Sequence, residues 1–243
     1  MLSLETIKKL KLEQEKLDQF IIQKNNITDS QTKASFIRTK IALLVEIGEL
    51  ANELETFKHW KKGKKTIAEK DPNDLQKAKE ELIDCLHFYL SWVNAFQIDF
   101  SDYQFRKLVP EPDENELLLA LFSETEMFSL KTPLHTTKEK IFATAEKSWE
   151  EQIKKLNPED KDYQKNIETF KKIKEGQKKI IEKMSSSFLE AIEIEKNKTI
   201  FYRWLLIFEE LAGKLGMKSE KDIEEAYLKK NKINWDRQQG NKH

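Results

Sequence analysis

The stretch LIDCLHFYLSWVNAF, residues 82 to 96, is apolar on every face of a helix and contains one acid, Asp84. A helix with no polar side to give to water must lie inside a core, so the chain has to surround this segment with other elements. With 6 glycines and 5 prolines in 243 residues, there are too few turn formers for a β protein. The surrounding elements are therefore helices, and the expected class is an all-α bundle.

Periodicity supplies the partners. Residues 3 to 24 place Ile7, Leu10, Leu17 and Ile21 on one stripe with Gln14 among them, and residues 31 to 60 step through Leu43, Ile47, Leu50, Leu54 and Phe57. Gly63 and Asp71-Pro72 interrupt the pattern before a third helix over about 73 to 96. Further helices are predicted from Glu114 to Lys131, from a Thr136-x-x-Glu139 capping box to Asn157-Pro158, over Ile200 to Leu215 as far as Gly216, and from Ser219-x-x-Asp222 towards Arg237. The Lys/Glu-rich stretch 159 to 183 has sparse apolar positions and reads as a solvated helix or helical hairpin, with low-complexity disorder as the competing reading; Ser185 to Ser187 mark a joint. A single domain is expected, its core formed by residues 1 to 100 and 196 to 243. About 101 to 195 would form a peripheral helical insertion or a mobile part.

Lys plus Arg and Asp plus Glu balance at 43 each, which gives no net field to recruit nucleic acid or an anionic membrane. No run approaches 18 uncharged apolar residues, and the N-terminus has no uninterrupted signal-peptide core, so no membrane span is expected. Cys85 is the one cysteine, which excludes a disulfide framework and suits a reducing, cytoplasmic setting.

The chemistry lies in misplaced acids. Glu46 and Glu49 are spaced i, i+3, and Glu53 extends their row. Glu46 falls between Leu43 and Leu50, at the edge of the apolar stripe, where a carboxylate is costly unless compensated. Glu81 and Asp84 repeat the spacing on the buried helix. An isolated ExxE pair is usually a solvated face bridging to lysines, but an acid inside an all-apolar helix is seldom tolerated without a partner or metal. Four such carboxylates on facing helices would repel one another severely without cations, and an all-oxygen set favours Mg²⁺, or Mn²⁺, over zinc. On the last helix Lys230, Asn234 and Arg237 at i, i+4, i+7 share a face suited to polyphosphate oxygens, or form an ordinary basic helix end.

Glu46-x-x-Glu49 followed by Glu81-x-x-Asp84 resembles the motif of the MazG-like all-α nucleoside triphosphate pyrophosphatases. The strings ETFKHWKK (55 to 62), EELIDCLHF (80 to 88) and YLKKNKINWDRQ (227 to 238) are similar to the signature blocks of the dimeric dUTPase branch. The resemblance covers roughly residues 10 to 100 and 200 to 240. It implies a homodimer that hydrolyses dUTP to dUMP and pyrophosphate, with dUDP as a further substrate. It also implies Mg²⁺ held by Glu46, Glu49, Glu81 and Asp84, and water attacking the α-phosphorus with a carboxylate as base. Glu49 is the expected base, with Glu46 and Glu53 as alternatives. Lys230, Asn234 and Arg237 are then phosphate-side ligands, and Lys58 or Lys61 beside Trp60 adds a further contact. Gln14 is expected to read the uracil edge, since a primary amide both donates and accepts. By resemblance His87 lies near the sugar and Trp60 against the base.

The chain departs from the family pattern in having Asp18 where the family commonly has Asn. Its Gly240 is followed by Asn241 rather than Tyr. Asp18 accepting from an exocyclic amine would favour dCTP or other nucleotides, the nearest rival reading. A catalytically silent helical interaction protein, with the Lys/Glu-rich middle as its working surface, is the rival from another class.

Overall fold

The computed structural model describes residues 2–30, 32–63, 65–128, 138–183 and 186–240, and every regular element among them is helical. The elements are α1 (Leu4–Lys24), α2 (Lys33–Leu54), α3 (Pro72–Ala95), α4 (Glu114–Met127), α5 (Lys138–Lys154), α6 (Tyr163–Lys183), α7 (Ser186–Lys214) and α8 (Glu220–Gln239), with one 3₁₀ turn at Ile67–Glu69.

Local chemistry sets the boundaries. Ser3, Thr32, Asp71, Asp113 and Ser219 cap α1, α2, α3, α4 and α8 by accepting from backbone N–H groups of the first turn. Pro72 opens α3, where a missing N–H costs nothing. Gly240 ends α8 at φ 86°, and Glu55 ends α2 at φ 55°, a left-handed position a non-glycine residue seldom takes. That turn stops α2 six residues before the expected boundary, so Phe57 lies in the following loop rather than on the helix stripe. α4 likewise ends at Met127 rather than Lys131, and α7 starts well before the apolar run at Ile200. Thr136 of the expected Thr136-x-x-Glu139 box lies outside the described residues.

The chain divides into two compact units, Met1–Leu130 with Lys198–His243, and Lys131–Asn197. The first is therefore larger than expected, because residues 101 to 130 belong to it rather than to a peripheral part. Leu117, Leu118, Leu121 and Phe128 are buried in its core, and α4 packs on α2. Two buried acids of α7 secure the segment before α4. Glu209 accepts from the Tyr103 hydroxyl and the Leu2 amide, and Glu210 accepts from the Leu108 amide at 2.9 Å.

The centre of this unit is α3. Leu43, Ile47, Leu50 and Leu54 of α2 pack along one side of it, fully buried, while α1 and α8 cover another. Tyr89 of α3 stacks on Trp204 of α7 with centroids 4.1 Å apart, and Trp204 stacks in turn on Phe208. In the second unit α5 packs on α6 around Trp149, whose indole N–H donates to Gln177 while Lys174 lies over the ring.

Leu50→Ala would open a cavity in the α2 to α3 seam, with an expected loss of about 2–5 kcal/mol. Urea unfolding followed by far-ultraviolet circular dichroism measures it.

Candidate active site

The i, i+3 spacing on α2 and α3 brings acids from both helices together. Ligand oxygens of Glu46, Glu81 and Asp84 all lie within 4.8 Å of one another. Glu49, exposed on the next turn of α2, is outside that triad but near enough for its charge to act on Glu46 and Glu81. Burial, then repulsion from Asp84, Glu49 and Glu81, pushes Glu46 up to about 7. Burial and neighbouring acids raise Glu81 as well, and burial raises Asp84 despite its cation partner.

That partner is Lys230 of α8, whose Nζ pairs with the Asp84 carboxylate at 2.5 Å. Arg237, two turns on and exposed, adds favourable charge at Asp84. Half-buried Asn234 lies between them on the α8 face. Among the described residues Lys230 pairs directly with one of the three clustered acids, Asp84, and Arg237 acts on it only by its charge, which leaves the site short of positive charge, and hard oxygen donors at this spacing suit a divalent ion.

Beside the acids lies a second polar group. Gln14, buried on α1, donates to Asp18 Oδ1 at 2.8 Å and to Ser91 Oγ at 3.1 Å. Its Oε1 meets the Tyr227 hydroxyl and His87 Nδ1, each at 2.7 Å. His87 stacks on Tyr227 with centroids 4.2 Å apart. Burial first, then the Lys230 charge, lowers the His87 imidazole to about 3, so it is neutral, and its Nε2 is buried without a partner among the described residues. Burial pushes Asp18 up to about 6 although Ser91 and Gln14 both donate to it.

The described contacts of Lys58, Trp60 and Lys61 are with their own loop neighbours. Lys58 and Lys61 both pair with Glu55, Lys58 at 3.1 Å, so neither is a free cation among the described contacts. Trp60 is 66% exposed, with its ring edge-on to Phe57 and His59. Ser91, Tyr227 and Asn231 were not singled out by sequence reasoning. Tyr227 and Asn231 are almost fully buried on α8. The available signal was their spacing: Tyr227 and Asn231 precede Asn234 on one helix, and Ser91 follows His87 by a turn.

The chain is an all-α protein in which α2 and α3 bring a carboxylate cluster up to Lys230 of α8. The comparison narrows this: the family model described as dUTPase matches residues 6–177, and the chain belongs to that family. It is accordingly a dUTP diphosphatase, an enzyme of a family that generally uses a divalent metal. The match covers Gln14 and all four acids and ends before α8. No curated protein and no solved structure matches the chain.

The metal-free protein should lose stability as pH rises. Glu46 holds its proton more tightly when folded, so between the ordinary carboxyl value of 4.5 and about 7 the folded state binds more protons, and deprotonation across that window works against folding. Partial exposure reduces the effect to about 1–2 kcal/mol. Glu46→Gln should flatten the profile of melting temperature from pH 5 to pH 8 in chelator.

Proposed function

We propose that this chain hydrolyses dUTP to dUMP and pyrophosphate, and dUDP to dUMP and phosphate, with Mg²⁺, or Mn²⁺ in its place, at Glu46, Glu49, Glu81 and Asp84. The observation that carries the reading is the Glu46, Glu81 and Asp84 cluster with Lys230 and Arg237 acting on it from α8. The donor set fits the ion: carboxylates from two helices, crowded enough to raise their own proton affinity, with no thiolate or imidazole among them. When bound, the metal supplies positive charge against the phosphate oxygens and favours deprotonation of the attacking water.

The protein residues divide the remaining tasks. Lys230, Asn234 and Arg237 would hold phosphate oxygens, with Lys230 turning from Asp84 to the phosphate when that acid is neutralised. Lys58 or Lys61, released from Glu55, adds a contact at the mouth of the site. Glu49, exposed at the edge of the triad, takes the proton of the water that attacks the α-phosphorus. A new P–O bond forms to the water oxygen, the bond from the α-phosphorus to its bridging oxygen breaks, and pyrophosphate leaves with the electron pair. Gln14, Asp18 and His87 build the nucleoside end, and Trp60 supplies an aromatic wall for the base.

A homodimer is part of the proposal, but its support is not the apolar surface of residues 82 to 96 and 200 to 211. Residues 82 to 96 and 200 to 211 contribute their buried apolar side chains to the chain's own core. The support is a different feature: Ile37, Ile41 and Val45, spaced by four on α2 and each 42% to 55% exposed, form an outward apolar stripe of the kind a second copy covers. Ile41→Glu should convert the dimer to monomer at micromolar concentration, as read by sedimentation equilibrium. A wild-type protein that is already monomeric would remove this part of the reading.

The activity is tested by pyrophosphate release from dUTP, dCTP, dTTP and the ribonucleotides. Chelator should abolish turnover and Mg²⁺ restore it. Glu49→Gln should lower kcat at least about 100-fold with the fold retained. A pocket whose buried polar groups pair with uracil should favour dUTP over dCTP by up to about 10⁴ in kcat/KM. Equal rates for dUTP and dCTP would shift the assignment to a broader pyrophosphatase of the same fold.

A further inference from the structure

Gln14 has no hydrogen-bonding capacity left. A primary amide offers two donors and two acceptor positions, and Asp18, Ser91, His87 and Tyr227 use all four. A residue so occupied cannot also read a base edge without breaking a buried bond. Its effect must pass through the groups it holds.

The direction of that effect follows from Asp18. An ionised carboxylate only accepts, so the amide nitrogen of Gln14 must face it, and Ser91 Oγ donates to the same oxygen at 3.1 Å. The Gln14 oxygen is then turned towards Tyr227 and His87 and accepts from both. A neutral imidazole bonded to an acceptor through Nδ1 carries its proton there, which leaves Nε2 bare. The residue is 5% exposed and this nitrogen has no partner among the described residues, a buried acceptor that costs stability until something donates to it. His87 follows Asp84 by three residues on α3, so its ring lies on the side of the helix that carries the acid cluster.

We propose that Asp18 and Gln14 are positioning residues that lock His87 as its Nδ1–H tautomer, so that the bare Nε2 accepts a hydrogen bond from an O–H or N–H of the bound nucleoside. The nature of the ligand rests on the nucleotide reading above; the tautomer lock does not. Two groups of dUTP carry such a donor, the sugar 3′-hydroxyl and the imide N3–H of the base. Cytosine lacks the second.

The test begins with ¹⁵N-imidazole spectra of histidine-labelled enzyme at pH 8, where Asp18 is ionised, with His87 assigned by its absence in His87→Gln. Wild type should show a protonated Nδ1 and a bare Nε2. Gln14→Met and, independently, Asp18→Ala should move the proton towards Nε2, while Asp18→Asn, whose amide oxygen still accepts from Gln14, should keep the wild-type tautomer. Kinetics identify the donor. The KM for dUTP should rise at least about ten-fold in Gln14→Met, with kcat falling less. Against wild type, either 2′,3′-dideoxyuridine triphosphate or N3-methyl-dUTP should show a comparable penalty, and Gln14→Met should erase the penalty for that analogue alone. A protonated Nε2 in wild type, an unchanged tautomer in both Gln14→Met and Asp18→Ala, or analogues that both bind as tightly as dUTP would overturn the proposal. A locked His87 in a protein indifferent to dUTP would leave the relay standing and overturn the nucleotide reading instead.

Discussion

The repulsion among Glu46, Glu81 and Asp84 organises the functional half of this molecule. Three carboxylates with ligand atoms within 4.8 Å are set at the edge of the α2 to α3 seam, where burial first, and then the charges of Asp84, Glu49 and Glu81, push Glu46 up to about 7. Without metal the chain offers Lys230 as a direct partner, with Arg237 acting at longer range. This arrangement is poor for the resting protein and suited to a complex in which divalent ions and polyphosphate bring opposite charges together.

The fold makes that compromise tolerable by placing the acids on elements packed deep in its core. α3 carries Glu81 and Asp84 on one face while Leu82, Ile83, Leu86 and Leu90 are buried in the core. α2 presents Glu46 from a stripe whose Leu43, Ile47, Leu50 and Leu54 are wholly inaccessible. Positions held by such packing cannot relax to separate the charges. The same packing places α8 beside α3, which brings Lys230 to Asp84 and Tyr227 to His87.

Charge and neutrality are kept apart within a few residues of α3. Asp84 belongs to the ionic end, paired with Lys230, whereas His87, three residues on, is neutral, stacked on Tyr227 and tied to Gln14. A triphosphate joined to an uncharged nucleoside has the same division along its length. The helix repeat puts both residues on one side of α3, so that on the proposed reading one element serves both ends of such a ligand.

The sequence by itself determined the helical class, the buried position of α3 and the pairing of the four acids, because these depend on 3.6-residue periodicity and on one charge standing in an apolar run. It also gave the α8 face, since Lys230, Asn234 and Arg237 are spaced on one helix. Tertiary structure decided what depends on distance between helices. Glu49 stands outside the tight triad, Lys58 and Lys61 are engaged by Glu55, and residues 101 to 130 join the core through Leu117, Leu118 and Leu121. The Gln14 network was beyond sequence reasoning for the same reason. Spacing places Gln14 and Asp18 on one turn of α1 and His87 and Ser91 on one turn of α3, but only the packing of α1 and α8 against α3 brings Tyr227 to that amide and uses all four of its hydrogen bonds.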